Sequence, residues 1–542
     1  MPVYKYPGPL TGYDTSKIDA IKALLAGPAL GWMSEENDKL LSDLQANILK
    51  HHNKNHSEYH FIQFKEGEAP AVKEWLTRFA EKITSAKTQL VKGSRDKSPV
   101  ISIGLTYAGY RYLGIPDSVI PDSHAFRMGL TNRVRLDQNK VETQLAGISQ
   151  VHAILLYACD EPPGKKANIQ LDLHQKQLMG DLNKFGKRYY LSQGTKENPL
   201  HEDYHFEEGI SNPVFFPDAS LAKDRKAYKK TDVAPLDLVL ILDKGGNQKF
   251  SCGSFGAFMK LRINDKAIKA LESEIKTKAQ AGSMNAGSDF IRAALVGRFT
   301  DGTPFSLSDT PRANPTNHFD YNEVMRLKNA RAAETDEEGA RCPFYAHIRK
   351  ANPRTPETRS VRIARRGVFY NEDGKEKGLL FLSFQRSLED QFEVILNNWM
   401  LNRYTHLLDK DKKGEPKNVD AGKDILFSTA GDIYQFSTAW NEHQNARQAK
   451  TFKITVPETI VDFLGGIYFF TPSISFFRKL APAKTNRAAA NPPGSMPFLP
   501  GTEIFLKQDQ NPDDMPHQRA PESPAMLHFI AGTEVQLQPS EK

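Results

Sequence analysis

One stretch of the chain, from Arg341 to Tyr370, combines a single histidine with a high density of arginines. His347 is followed by six of them, Arg349, Arg354, Arg359, Arg362, Arg365 and Arg366. Neutral imidazole binds iron, and guanidinium groups hold carboxylates through paired hydrogen bonds. The pattern therefore suits the capture of a planar, anionic ligand that carries iron. The alternative is a basic, solvated loop with one incidental histidine.

The overall composition is that of a globular protein with little charge bias. Hydrophobic residues make up 39% of the 542 positions and charged residues 25%, as in ordinary folded domains. The 72 basic residues stand among 65 acidic ones, for a net charge of +7, so we expect no nucleic-acid partner. A chain of this length is too long for one ordinary core, which predicts two domains or a large duplicated one.

Cysteine usage and the N-terminal residues bear on the compartment. The three cysteines, Cys159, Cys252 and Cys342, are far apart and odd in number, which is typical of a reducing compartment. The N-terminal residues show no basic segment followed by an apolar run, which is the pattern of a signal peptide. No apolar run of about 18 residues, long enough to span a membrane, occurs in the sequence. We therefore expect a cytoplasmic protein without a membrane partner, with non-standard secretion left open. No CxxCH pattern occurs, so any haem would be held non-covalently.

Hydrophobic periodicity predicts the elements that must position these residues. Predicted strands cover 58–64, 151–159, 236–243, 257–263, 378–384 and 465–475. A strand runs into a helix over 100–114, and further helices are predicted at 69–84, 264–281, 386–401 and 455–464. The order of strands and helices recurs in the second half of the chain. This recurrence predicts an α+β protein made of two sandwiches with antiparallel sheets.

Several phrases, in order along residues 43–480, resemble the dye-decolourising peroxidase family, and the long loops resemble its large-loop branch. They are DLQANILKHH (43–52), HFEEGISNPVF (205–215), LVGRFTDGTPFSLSD (295–309), NHFDY (317–321), RCPFYAHIRKANPR (341–354), RRGVFY (365–370), GLLFLSFQRSLEDQFE (378–393) and GGIYFFTPSIS (465–475). The resemblance implies a duplicated ferredoxin-like fold, with two four-stranded antiparallel sheets, peripheral helices and one non-covalent haem b between the halves. It also implies hydrogen-peroxide-dependent oxidation of bulky aromatic electron donors such as dyes and phenols.

The same resemblance divides the chain into four parts. We predict an N-terminal extension over 1–42 and a first ferredoxin-like domain over 43–225, which carries the distal acid loop. A second ferredoxin-like domain over 226–480 carries the axial histidine, and an irregular extension follows over 481–542. The sequence leaves monomer and homo-oligomer open.

Motif matches assign the proximal side of the haem. His347 matches the axial ligand of the iron. The other ring nitrogen of such a ligand should donate to an acceptor, which makes the imidazole more electron-rich. Asp424 is the candidate acceptor. Arg349 and Arg354 are candidates for pairing with the haem propionates, the alternative being that both are solvated.

The distal side is assigned in the same way. Arg365 matches the distal arginine, which offers a fixed cation where negative charge develops during peroxide cleavage. Adjacent residues of an extended segment point to opposite faces, so only one of Arg365 and Arg366 should reach the pocket, and we favour Arg365. Leu379 and Phe381 match the apolar distal wall, although a strand core would also use such residues.

The distal acid departs from the family pattern Gly-x-x-Asp-Gly. The aligned residues run from His205 to Gly209, so Glu208 replaces the aspartate and His205 the first glycine. Glutamate has a similar intrinsic pKa, but its carboxylate should lie about 1 Å further out, and errors of that size cost about a hundredfold in rate. His205 is either a second base in the pocket or a solvent-facing residue.

Two other functions fit parts of the sequence. Residues 201–205 spell HEDYH, which fits the H-E-x-x-H pattern of a zinc hydrolase with Glu202 as base. Pro199 before it and Gly209 after it leave little room for the helix that such a site needs. The changed distal acid also allows a haem carrier or sensor with weak peroxidase activity.

Overall fold

The structure is a computed structural model. It describes residues 35–92, 98–142, 145, 150–160, 169–200, 204–206, 209–216, 233–247, 250–282, 286–313, 315–317, 319–321, 336, 339, 341–405, 419–437 and 451–481. The first 34 residues and nearly all of the predicted C-terminal extension therefore lie outside the described part.

The first half of the chain forms a βαββαβ unit. Its elements are β1 (His56–Phe64), α1 (Ala69–Phe79), β2 (Val100–Leu105), β3 (Ala153–Cys159), α2 (Ile169–Phe185) and β4 (Gly186–Thr195). The four strands pair antiparallel in the spatial order β2-β3-β1-β4. This strand order and the two crossover helices define a ferredoxin-like fold.

The second half repeats the same plan. Its elements are β5 (Cys252–Ile263), α3 (Asp265–Ala281), β6 (Val368–Glu372), β7 (Glu376–Gln385), a helical segment (Leu388–Phe392 and Val394–Met400) and β8 (Val461–Thr471). The strands pair antiparallel in the order β6-β7-β5-β8, which matches the first unit strand for strand. The predicted duplication is therefore confirmed.

The two sheets join at both edges and close into an eight-stranded barrel. Phe470 of β8 pairs with Leu105 of β2, and Thr195 of β4 pairs with Phe369 of β6. Aromatic rings fill the interior, and two glycines make room for one of them. A Cβ at Gly104 would lie 2.3 Å from the Phe469 ring, and a Cβ at Gly256 would lie 2.1 Å from it. Closure leaves these strands without an open edge.

Shorter elements surround the barrel. The helices are Glu35–Asp43, Ala86–Lys92, Tyr107–Tyr112, His124–Met128, α4 (Ser288–Val296), α5 (His347–Ala351) and Ile474–Arg478. Short 3₁₀ helices occupy Ala80–Lys82, Leu130–Asn132, Leu236–Leu238, Pro356–Val361 and Ile425–Phe427. Short strands are Ile241–Leu242, Ala364–Arg365, Tyr404–Thr405 with Val419–Asp420, and Ile433–Ser437 with Thr451–Thr455. Among the described helices, none has the length and apolar character needed to cross a bilayer.

The helix α1 shows how local sequence builds these elements. Pro70 lies in its first turn, where a missing amide hydrogen costs nothing. The buried face carries Val72, Trp75, Leu76 and Phe79, at the three- and four-residue spacing of one helical stripe. The predicted helix over 69–84 is therefore confirmed, with its end wound into one 3₁₀ turn.

Three predicted elements differ from the structure. The segment 455–464 is not a helix, because β8 already begins at Val461 and pairs with Ile263 of β5. The segment 236–243 holds a 3₁₀ turn and only a two-residue strand. The helix over 386–401 exists but is wound with wider turns, as in the bond from the Leu401 amide to the Leu396 carbonyl, 2.9 Å long. Short apolar runs do not distinguish helix from strand, so tertiary pairing decides.

Candidate active site

The imidazole of His347 is oriented by a buried carboxylate. His347 opens α5, and its Nδ1 lies 2.7 Å from Oδ2 of Asp424. Asp424 is fully buried, whereas the histidine side chain is 30% exposed. An ionised carboxylate only accepts, so Nδ1 carries the hydrogen and donates it. The lone pair is then on Nε2, which is the arrangement that an iron ligand needs.

Asp424 is itself fixed by the chain around it. Its Oδ1 accepts from the Leu426 amide at 3.0 Å, because Asp424 caps the short helix Ile425–Phe427. Its own amide donates to the Met400 carbonyl at 2.7 Å, and the next amide, of Ile425, donates to the Tyr345 carbonyl at 3.1 Å. The structure thus places Asp424 beside the histidine, as expected from the sequence. Its effect on bound iron stays a prediction.

Arg349 is committed to a different partner from the one expected. Its guanidinium is 2% exposed and donates to Asp336 and to the Cys342 carbonyl, with distances of 2.6–3.0 Å. The rings of Tyr321 and Phe344 lie 4.2 and 4.4 Å from it. A cation so enclosed is not available to a propionate. The prediction for Arg349 is therefore corrected: it anchors the segment that carries His347.

Arg354 remains a candidate for the propionates. It adopts a left-handed backbone (φ 63°) and is half-buried. Its guanidinium donates to the Asn317 carbonyl and to Ser211 Oγ, both at 3.0 Å, and lies 3.8 Å from the Phe319 ring. Arg298, which is not among the predicted residues, is 6% exposed and donates to the Gly302 and Thr316 carbonyls at 2.6 and 3.0 Å and to Asn317 Oδ1 at 2.8 Å, so it anchors this region as Arg349 anchors its own. Its position inside the phrase LVGRFTDG was the available signal.

The two adjacent arginines point to opposite sides, as the alternation of a strand requires. Arg366 is 3% exposed and donates to the Asn47 and Ile48 carbonyls at 3.0 and 2.8 Å. Arg365 is exposed and donates to the Ile210 carbonyl at 2.8 Å. Of these two arginines, Arg365 therefore lies on the outer side of the barrel, with its charged group near the 209–212 loop.

The loop that follows Glu208 is held against Arg365. Gly209 and Ser211 both have left-handed backbones, with φ of 78° and 70°, so the chain turns sharply here. Asn212 Oδ1 accepts from the Arg365 amide at 3.1 Å. Glu208 itself lies outside the described residues. Its predicted role is therefore neither supported nor excluded by its own geometry.

His205 does not behave as a second base. It is exposed, and its Nε2 lies 3.0 Å from the Leu200 carbonyl. This favours the solvent-facing alternative. Between Phe185 and Asp265, the described part of the chain contains no α-helix, and His201 and Glu202 lie outside it. The zinc-hydrolase arrangement therefore finds no support.

Leu379 and Phe381 project from the outer side of β7. Both are half-buried, whereas their neighbours Leu380 and Leu382 are buried inside the barrel. The Phe381 ring packs 6.2 Å from that of Phe392, in the wide-turned segment whose second half packs against α5. A continuous set of contacts thus connects the wall of β7 with the element that carries His347.

These residues fit a haem. A histidine with a free Nε2 offers an iron ligand, half-exposed apolar side chains offer a face for a porphyrin, and exposed Arg365 offers a cation beside it. The duplicated ferredoxin-like barrel with this set of groups defines the class of haem peroxidases.

Comparison with known proteins gives the family. The family described as Dyp-type peroxidase, C-terminal, matches residues 320–410. The multifunctional dye peroxidase DyP2 of Amycolatopsis sp. is 27% identical over 83% of this chain and 98% of its own length. The crystal structure of a DyP-type peroxidase from Anabaena sp. has a TM-score of 0.66 and 30% identity, over 82% of this chain and 95% of that one. The chain belongs to the DyP-type peroxidase family, and it is an enzyme that acts with hydrogen peroxide.

One further solved structure bears on ligands. A dye-decolorizing peroxidase in complex with 2,6-dimethoxyphenol has a TM-score of 0.60 and 22% identity, covering 81% of this chain and 98% of that chain. At this identity the match shows the fold alone.

Proposed function

We propose that this enzyme holds one non-covalent haem b through His347 and oxidises bulky aromatic donors such as dyes and phenols with hydrogen peroxide. The observation that carries the proposal is the 2.7 Å contact between His347 Nδ1 and Asp424. A buried carboxylate that accepts from Nδ1 fixes both the tautomer and the plane of the ring. Haem supplies the redox centre that takes electrons from the donor and delivers them to peroxide.

The overall reaction balances without another reactant. One hydrogen peroxide takes two electrons and two protons and gives two waters. Two phenolic donors each lose one electron and one proton, which leaves two phenoxyl radicals. The residues of the chain therefore have to bind the cofactor, move protons between the peroxide oxygens and stabilise the charge that develops there.

Arg365 and Glu208 divide these tasks on the distal side. The Arg365 guanidinium stays charged at any working pH and stabilises negative charge on the departing oxygen. Glu208 takes a proton from one peroxide oxygen and returns it to the other. The contacts of Arg365 with Ile210 and Asn212 keep the two residues on neighbouring segments. Leu379 and Phe381 exclude water from the same side.

Relatives that are named for dyes support this substrate class. The carrier or sensor with weak peroxidase activity and the zinc hydrolase have no comparable support. Arg354 is the best candidate for the propionates because its guanidinium is only half-buried and lies at the 209–212 loop.

The test compares the wild type with His347→Ala and with His205→Ala as a matched control on an exposed histidine. Purified wild-type protein should show a Soret band and oxidise an anthraquinone dye when peroxide is added. His347→Ala should lose the Soret band of ligated haem and the dye oxidation while keeping its circular dichroism. His205→Ala should retain the Soret band and the activity. A His347→Ala variant that binds haem and turns over like the wild type would overturn the proposal.

A further inference from the structure

A second group of metal-binding side chains lies in the first ferredoxin-like unit. Glu58 and His60 are two residues apart on β1 and therefore project from the same face. That face is the outer one, which α2 covers, and His174 reaches the cluster from α2. One ligand atom from each of the three residues lies within 4.8 Å of the others.

Burial makes this cluster unusual. Glu58 and His60 are both 0% exposed, and His174 is partly buried. The Nδ1 atoms of His60 and His174 are both buried with no hydrogen-bond partner among the described residues. A buried polar atom without a partner costs about 1–3 kcal/mol. Both histidines are thus enclosed with one ring nitrogen unpartnered, and the other nitrogen of His60 faces Glu58.

The carboxylate of Glu58 has partners on both of its oxygens. Its Oε1 accepts from Gln193 Nε2 at 3.0 Å and also from the side-chain amide of Gln175. Its Oε2 lies 3.1 Å from His60 Nε2. Two ligands on a tetrahedral zinc, at bonds of about 2.0–2.1 Å, lie about 3.3 Å apart. The observed separation is thus close to that of two ligands that share one ion.

The histidine of α2 is supported in the same manner. The ring of Tyr157 stacks on that of His174 with centroids 3.7 Å apart. Amide donors to a carboxylate are the kind of support that metal ligands receive from their surroundings, and the stacking fixes the plane of the His174 ring.

We infer that Glu58, His60 and His174 form a binding site for a divalent transition-metal ion, with zinc as the expected occupant. Two imidazoles and one carboxylate are a recognised zinc ligand set, which leaves a fourth position for water. Such an ion would join α2 to β1 through one ring nitrogen of each histidine and one oxygen of Glu58. This site lies in the first unit and does not depend on the proposed function of the haem site.

The test uses the full-length, haem-loaded protein, stripped with a chelator that leaves haem in place, and then incubated with zinc chloride. After gel filtration, elemental analysis should find about one zinc per chain. His174→Gln and Glu58→Gln should each lower zinc affinity by about 100-fold or more, because losing even an outer partner of a ligand costs about 10–100-fold. His124→Gln, on an exposed histidine outside the cluster, is the matched control and should bind zinc as the wild type does.

X-ray absorption at the zinc edge gives a second measurement that haem iron does not disturb. The wild type should show two imidazoles at about 2.0–2.1 Å, and the zinc that remains in His174→Gln should show one. The inference is overturned if the wild type takes up no zinc, if both cluster variants bind it like the wild type, or if the spectrum lacks histidine scattering. Soret absorbance and circular dichroism establish that each variant is folded.

Discussion

Asp424 lies 77 positions after His347 in sequence, yet its Oδ2 is 2.7 Å from Nδ1 of that histidine. The two residues belong to different local elements, a helix start and the cap of a 3₁₀ turn. The bond from the Ile425 amide to the Tyr345 carbonyl holds those elements together. A buried anion therefore faces the ligand candidate from behind, where it increases the electron density on the ring.

Asp424→Asn should weaken this effect while the protein stays folded. A neutral amide accepts less strongly from Nδ1, so iron(III) is less stabilised and the reduction potential should rise. Outer partners of metal ligands change affinity by about 10–100-fold, which corresponds to about 60–120 mV for one electron. Spectroelectrochemical titration measures the shift.

The control for that experiment is Asp420→Asn. Asp420 lies four residues before Asp424, at the end of a short strand, but its carboxylate is exposed and pairs with Arg403. Its replacement should leave the potential unchanged. Equal potentials in wild type and Asp424→Asn would show that the carboxylate does not act on the iron.

Replacing Arg365 should affect the rate of the peroxide reaction, whereas replacing Arg366 should affect the stability of the fold. Arg365→Ala should lower kcat/KM for peroxide by about 10²–10³, as loss of one charge-stabilising donor does, with little change in Tm. Arg366→Ala should instead lower the Tm, because the Asn47 and Ile48 carbonyls lose their donors, at a cost of about 1–3 kcal/mol each. Stopped-flow mixing with peroxide and thermal melts measure the two effects. The assignment is wrong if Arg365→Ala reacts at the wild-type rate.

Glu208 should be the proton carrier of the distal side. Glu208→Gln keeps the size of the side chain but removes the acid, so the peroxide step should slow by about 10²–10⁴. Glu208→Asp restores an acid and should recover much of this loss. Steady-state dye oxidation at several peroxide concentrations compares the three proteins. Unchanged turnover in Glu208→Gln contradicts the assigned role.

His152 should make the fold sensitive to acid. Its ring stacks against Phe64 and Tyr112, its Nδ1 accepts from the Phe64 amide at 2.9 Å, and burial lowers its pKa from 6.5 to about 4. Below pH 6.5 the His152 ring takes up a proton in the unfolded chain but stays neutral in the folded chain. The contribution of His152 to the free energy of unfolding is therefore fully present above pH 6.5. It falls by about 1.4 kcal/mol per pH unit between pH 6.5 and about pH 4.

Urea unfolding between pH 7 and pH 4 tests this dependence. His152→Gln retains an acceptor for the Phe64 amide but has no titrating ring, so its free energy of unfolding should fall less steeply with acid. His124→Gln, at an exposed site, should keep the wild-type slope. A His152→Gln variant with the same slope as the wild type would contradict the prediction.

The sequence by itself determined the repeated order of strands and helices, because apolar periodicity is a local property. It also determined the candidate ligand His347 and the choice of Arg365 over Arg366, since motif order and strand alternation need no tertiary information. The cytoplasmic location, the exact domain boundaries and the oligomeric state stay predictions.

Only the tertiary structure decided which partners the charged groups take. Arg349 looked like a propionate ligand, but Asp336 lies 13 positions away, across residues without periodicity, and pairs with it in the interior. The segment 455–464 was predicted to be helical, but from Val461 onward it pairs with β5 as a strand. The cluster of Glu58, His60 and His174 has no sequence motif, because it exists only where a helix folds over a strand. Hydrogen bonds between distant segments, and the burial of side chains between them, form only when the barrel closes. Local sequence patterns do not predict which distant segments will meet.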